Sequence, residues 1–112
     1  MMTVADLKQF GADTDDGLKR CMNNESFYLR LVKIAANDAG YNNLKNAIDN
    51  NDAKTAFEEA HKLKGVLGNL SLTPLYKPVC EITEITRAGS CEGCAEFADA
   101  VIAKRDELLS LL

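Results

Sequence analysis

Ala60-His61-Lys62-Leu63-Lys64-Gly65-Val66-Leu67-Gly68-Asn69-Leu70 is the stretch from which the rest of the chain is read. It holds the chain's one histidine, with Lys64, Gly65 and Gly68 following three, four and seven residues on. In an α-helix those offsets share a face. As a helix, the segment sets a cation one turn from the imidazole, beside a strip of surface nearly bare of side chains. Each interior glycine costs about 1 kcal/mol relative to alanine. Two such losses beside one nucleophilic ring point to a use other than stability.

The helix extends outward from this stretch. Ala53, Ala56, Phe57, Ala60, Leu63, Leu67 and Leu70 form an apolar stripe, which predicts a helix over 52–70. At ~100° per residue, His61 falls roughly 100° from the stripe centre and Lys64 roughly 40°. The histidine is therefore on the shoulder of the helix. Downstream, Thr73-Pro74 reads as an N-cap and first-turn pair, with Leu75, Val79, Ile82 and Ile85 facing inward and Ala88-Gly89 as the stop. Pro78 removes one backbone hydrogen bond and should bend the start of that helix. A last helix is expected from near Ser90 to the C-terminus, with Cys94, Phe97, Ala98, Val101, Ile102, Leu108 and Leu112 on its apolar side.

Upstream, Asn50-Asn51-Asp52 is a stop-and-start signal. Phe27, Leu31, Ile34, Ala35, Tyr41, Leu44 and Ile48 keep helical spacing on both sides of Gly40. This predicts one long helix over about 25–50, two helices broken at Asp38-Ala39-Gly40 being the alternative. Residues 3–10 give a short helix stopped by Gly11, and Asp13-Thr14-Asp15-Asp16 opens a second that runs to about Met22. Four long amphipathic segments with short connections predict an all-α fold. The expected architecture is an antiparallel up-down-up-down four-helix bundle with short N-terminal helices, in one domain over 1–112.

Composition narrows the function classes. The chain has 112 residues, 46% hydrophobic and 27% charged, and a net charge of −4. Its basic residues form no cluster, which argues against nucleic acid as a partner. No apolar run approaches the ~20 residues of a membrane span and no signal-peptide core is present, so a cytoplasmic protein is expected. The thiols of Cys21, Cys80, Cys91 and Cys94 are then expected to be reduced. Cys91-Glu92-Gly93-Cys94 has the CxxC form of a redox pair or half a zinc site. Neither Cys21, Cys80 nor His61 offers a matching second pair, and no strand–helix setting surrounds the motif. Metal or redox function is thus the weaker alternative, and unpaired thiols near a helix start are the plain reading.

A lone histidine on a small helical domain is most often a surface residue without chemistry. Here Ala60-His61-x-Leu63-Lys64-Gly65-x-x-Gly68-x-Leu70 resembles the signature of histidine-containing phosphotransfer (HPt) domains, the intermediate carriers of phosphorelays. Gly11-Ala12-Asp13, Gly17-Leu18-x-Arg20 and Asn24-Glu25-x-Phe27-Tyr28 are similar to the segment that precedes the second long helix in that family. Asn51-Asp52, Leu72 and Leu75 also fit. The chain departs from the pattern at Ser71, where many members have glycine, and at Pro78. It departs again at Thr83, where an acidic or amide residue is common.

The resemblance implies a phosphorelay intermediate in two-component signalling. His61 would accept the phosphoryl group on an imidazole nitrogen, and Lys64 would balance its charge. Lys62, Gly65 and Gly68 would form the docking face for a partner. Histidine ordinarily titrates near ~6.5, so much of it is a neutral nucleophile at pH 7. An ammonium one turn away stabilises the phosphorylated product. A helix face offers no acid–base machinery, so the chain would be a carrier and not an enzyme. No cofactor is expected in it, and magnesium would belong to the partner. The implied partners are receiver domains of response regulators or hybrid kinases, met by a monomer. A helical adaptor without phosphoryl chemistry is the competing class, and the pairing of His61 with Lys64 argues against it.

Overall fold

The computed structural model describes residues 1–112 as seven helices without a strand. The helices are α1 (Val4–Phe10), α2 (Thr14–Arg20), α3 (Glu25–Ala36), α4 (Gly40–Asp49), α5 (Ala53–Asn69), α6 (Thr73–Arg87) and α7 (Cys94–Leu109). Side chains just ahead of several helices set where they begin. Thr3 and Asp6 form a reciprocal capping box on α1, while Asp13, Asn24 and Asp52 each accept a backbone N–H in the first turn of α2, α3 and α5.

α4 packs on α5 and α7, α5 on α6, and α6 on α7, so the four later helices close a ring. Tyr41, Leu44, Leu67, Leu75, Ile82 and Val101 are among the side chains buried within the core. α3 meets α7 and α2, and adds Tyr28 and Val32 to the same core. No helix is long and apolar enough to cross a membrane.

The expected long helix over 25–50 is two helices. α3 stops at Asn37, whose amide donates back to the Lys33 carbonyl, and Asp38 then accepts the Gly40 N–H at 2.6 Å. A Cβ on Gly40 would lie 2.8 Å from Asp38 Oδ1 and 3.3 Å from the Leu63 side chain. Glycine there lets α4 begin tight against α5. The apolar spacing crosses the break because both helices face one core.

Other boundaries shift as well. Leu72 precedes α6 as its cap and Thr73 is the first helical residue. α6 runs through Pro78 as one helix. α7 starts at Cys94 instead of Ser90, because Gly89 and Gly93 adopt left-handed φ of 88° and 85° and make residues 90–93 a turn. The Ser90 hydroxyl accepts the Glu92 N–H inside that turn.

Candidate functional site

His61 lies in the middle of α5 and is exposed, while Lys64 one turn on is half-buried. Ala60 and Leu63 on either side are buried, which fixes the rotation of the helix and puts the imidazole on its shoulder. The ring is held by stacking. Phe57, one turn back, lies 5.7 Å away centroid to centroid at an interplanar angle of 18°. Arg87 of α6 places its guanidinium 5.1 Å from the Phe57 centroid, so the stacking ring is itself held.

Past His61 the surface opens into a cleft of about 590 Å³, walled by His61, Lys64, Gly65 and Gly68 of α5 and Tyr76 of α6. Asp13, Asp16 and Arg20 supply its far wall. The two glycines serve different neighbours. A Cβ on Gly65 would meet nothing within 4 Å, so that position is bare toward solvent. A Cβ on Gly68 would sit 3.0 Å from Tyr76 Cε1, so its missing side chain is the room in which the tyrosine ring packs.

The far wall is latched to the end of α5. Ser71 has a left-handed φ of 54°, a conformation that costs a non-glycine residue about 1–2 kcal/mol. In return its carbonyl accepts the Asp13 N–H at 3.0 Å and its hydroxyl donates to Asp16 Oδ2 at 2.5 Å. Arg20 Nε donates to the same carboxylate oxygen at 2.8 Å. These bonds, the Ser71 hydroxyl first and Arg20 second, hold the Asp16 carboxyl below its ordinary range. Tyr28 adds a third link, donating to the Leu70 carbonyl at 2.9 Å, and Gly17 leaves the space its ring fills. The departure from glycine at position 71 thus has a physical reason: serine bonds to α2 where glycine has no side chain to do so.

Four of the five residues singled out in the sequence line this cleft. Lys62 does not. Its ammonium pairs with Glu59 at 3.3 Å, and it borders a separate depression with Asp38, Asn43 and Val66. Lys64, by contrast, enters none of the chain's ion pairs. Thr83 is fully buried and its hydroxyl donates back to the Val79 carbonyl, so it takes no part in the cleft. α6 contributes Tyr76 to it. Sequence reading missed Asp16, Arg20, Ser71 and Tyr76, which only tertiary packing brings to His61. The stacking of Phe57 was within reach of the i, i+4 spacing alone.

The CxxC motif lies elsewhere. Cys91 and Cys94 are both buried, and desolvation pushes both thiols up from their ordinary range. A redox pair needs the opposite environment, one that favours thiolate.

The chain is an all-helical domain that presents an exposed histidine over an open cleft lined mostly by polar residues. The Hpt domain family model matches residues 34–111, well over half of the chain, and the chain belongs to the Hpt domain family. Hpt domains are phosphocarriers in two-component signalling and work with receiver domains. Comparison with curated proteins and with solved structures returned no match. Asp13, Asp16 and Arg20 precede the matched stretch, so the far wall of the cleft comes from outside it.

Proposed function

We propose that this protein is a phosphorelay intermediate in which His61 accepts a phosphoryl group from one receiver-domain aspartate and donates it to another. The observation that carries the reading is the placement of an exposed imidazole beside Lys64, a cation without an acidic partner, on a helix that is bare at Gly65. Attack of an imidazole nitrogen on the aspartyl phosphate forms the N–P bond as the O–P bond breaks, and the carboxylate leaves on the receiver. The reverse reaction reloads the next aspartate. Lys64 neutralises part of the dianion that stays on His61. Gly65 gives the receiver's loops access to the phosphoryl group, and Gly68 gives Tyr76 its place in the wall.

The domain contributes a held nucleophile and a charge, and the receiver contributes magnesium and the aspartate. No cofactor resides in the carrier. The ring of α4–α7 serves as an up-down-up-down bundle that acts as a monomer, and Lys62 and Val66 border the docking face.

The test is transfer from a phosphorylated receiver. The wild type should acquire acid-labile, alkali-stable phosphate and His61→Gln should acquire none. Uptake of such phosphate by the Gln variant would overturn the assignment.

A further inference from the structure

We infer that Arg20 is a second phosphoryl-binding cation, reaching the phosphate on His61 from the opposite side of the cleft to Lys64. The inference rests on the reading of His61 as the phospho-acceptor and extends that site to α2. Arg20 lines the same cleft as His61 and Lys64, although 41 residues of sequence separate Arg20 from His61. Its guanidinium uses only Nε to bond Asp16, which leaves both terminal NH2 groups free of protein partners. Asp16 is in turn bonded by the Ser71 hydroxyl, so the carboxylate that orients Arg20 is tied to the end of the helix that carries the histidine.

Charge balance gives this arrangement a use. A phosphorylated imidazole carries up to two negative charges, and Lys64 supplies one positive charge. Guanidinium binds phosphate oxygens through paired N–H groups, a geometry that ammonium lacks. Engaging the phosphoryl oxygens with the terminal nitrogens would leave Nε on Asp16, so no ion pair would have to break. Asp16 is then a positioning residue: it aims the fork, and it keeps the cation at the rim when no phosphoryl group is present. Asp13 and Asp16 also put two carboxylates on that wall. Without Arg20 a phosphoryl dianion would face them with Lys64 alone to balance it.

Spontaneous loss of the phosphoryl group, away from a receiver, offers no magnesium or in-line aspartate with which a guanidinium could share the charge spread over the phosphoryl oxygens in the transition state. A guanidinium fixed on those oxygens in the isolated domain then stabilises chiefly the ground-state dianion. Arg20 should therefore lengthen the life of the phosphorylated form.

The experiment phosphorylates the full chain chemically with phosphoramidate, which loses ammonia as its phosphoryl group moves to imidazole, so no docking partner is involved. The side-chain Nε–H of Arg20 is followed by 15N–1H NMR and the phosphohistidine by 31P NMR. On phosphorylation the Arg20 Nε–H resonance should shift, and R20A should lose phosphate about three- to ten-fold faster than wild type at low salt. R20K, which keeps the charge without the fork, should fall between them. An Arg20 resonance that does not move, together with equal lifetimes in wild type and R20A, would overturn the inference while leaving His61 as acceptor. Failure of the wild type to take phosphate on His61 would instead remove the reading on which it rests. If R20A does not fold, the wild-type Arg20 resonance decides alone.

Discussion

Phe57 stacks on His61 one helical turn away, with ring centroids 5.7 Å apart and planes 18° from parallel. Two aromatic rings on consecutive turns of one helix limit each other's rotation. The Arg87 guanidinium against Phe57 limits it further. The imidazole is exposed and yet packed on one face, and on the proposed role of His61 a nucleophile so oriented would spend more of its time in reach of a docked phosphoryl group.

Phe57→Leu should therefore lower the rate of transfer from a phosphorylated receiver by about two- to ten-fold, on the order of a stacking energy of ~0.5–1.5 kcal/mol. It should leave binding of the receiver nearly unchanged. Leucine keeps most of the apolar contact, so circular dichroism and urea unfolding should show a folded protein. Single-turnover transfer kinetics decide the point. Wild-type rates in both Phe57→Leu and Phe57→Ala would show that the stack has no part in transfer.

The two glycines of α5 should separate stability from function. A methyl at position 65 projects into open space, so Gly65→Ala gains helix propensity of about 0.5–1 kcal/mol without a clash. The same methyl stands on the face proposed for receiver docking. The variant should unfold at higher urea than wild type and yet exchange phosphate more slowly with receivers. Gly68→Ala should behave differently, because its methyl meets the Tyr76 ring at 3.0 Å and the ring must shift. Its helix-propensity gain should be offset by that displacement. Urea midpoints measured beside transfer rates test both. A Gly65→Ala protein that is less stable than wild type would contradict the open geometry.

Much of this arrangement is legible in the sequence because it is local. The α5 stripe fixes which side of the helix is buried, so the relation of His61, Lys64 and Gly65 follows from ~100° per residue. The break between α3 and α4 lies at the alternative position, Asp38-Ala39-Gly40, but spacing does not favour it, because Phe27 to Ile48 keep one apolar rhythm and the interruption depends on the Asp38 carboxylate accepting the Gly40 N–H. The start of α7 depends on left-handed backbone at Gly89 and Gly93, which the CxxC motif between Cys91 and Cys94 obscures. The far wall of the cleft is not legible at all from spacing. Asp16 and Ser71 are 55 residues apart, and nothing in either residue type announces the bond between them.

That bond gives the acid limb of stability a definite sign. Asp16 and Asp52 both have folded pKa values held below the ordinary carboxylate range, Asp16 by the Ser71 hydroxyl and then Arg20, Asp52 by the Thr55 hydroxyl and then its backbone N–H. A depressed folded pKa contributes stability in full above the unfolded value of ~3.9, and that contribution is lost as pH falls through the lower folded value. The unfolding free energy should decline below about pH 4, and Asp16→Asn should flatten that decline while lowering stability at pH 7. Urea titrations at several pH values between 2.5 and 7 measure it. Ser71→Gly, which removes about 1–2 kcal/mol of left-handed strain along with the hydrogen bond, should be more stable than Ser71→Ala, which removes the bond alone. The reverse order would mean that the serine backbone is not strained.

The buried CxxC pair predicts chemistry of the opposite kind to a redox site. Burial pushes the thiols of Cys91 and Cys94 up, with Asp52 adding to the effect on Cys91. At neutral pH both should remain protonated and shielded. In the folded protein a thiol reagent should therefore modify half-buried Cys80 first and reach Cys91 and Cys94 only at the rate of unfolding. Because these folded pKa values are raised, the linked stability is fully present below the unfolded thiol value of ~8.5 and is lost as pH rises through and beyond it. Cys94→Ala, at a fully buried position where the apolar thiol is lost, should lower stability by roughly 1 kcal/mol at pH 7 and leave phosphoryl transfer at the wild-type rate. Mass spectrometry of timed labelling separates the cysteines by position. Modification of Cys91 or Cys94 ahead of Cys80 in the native protein would show a thiolate-favouring site and restore the redox alternative.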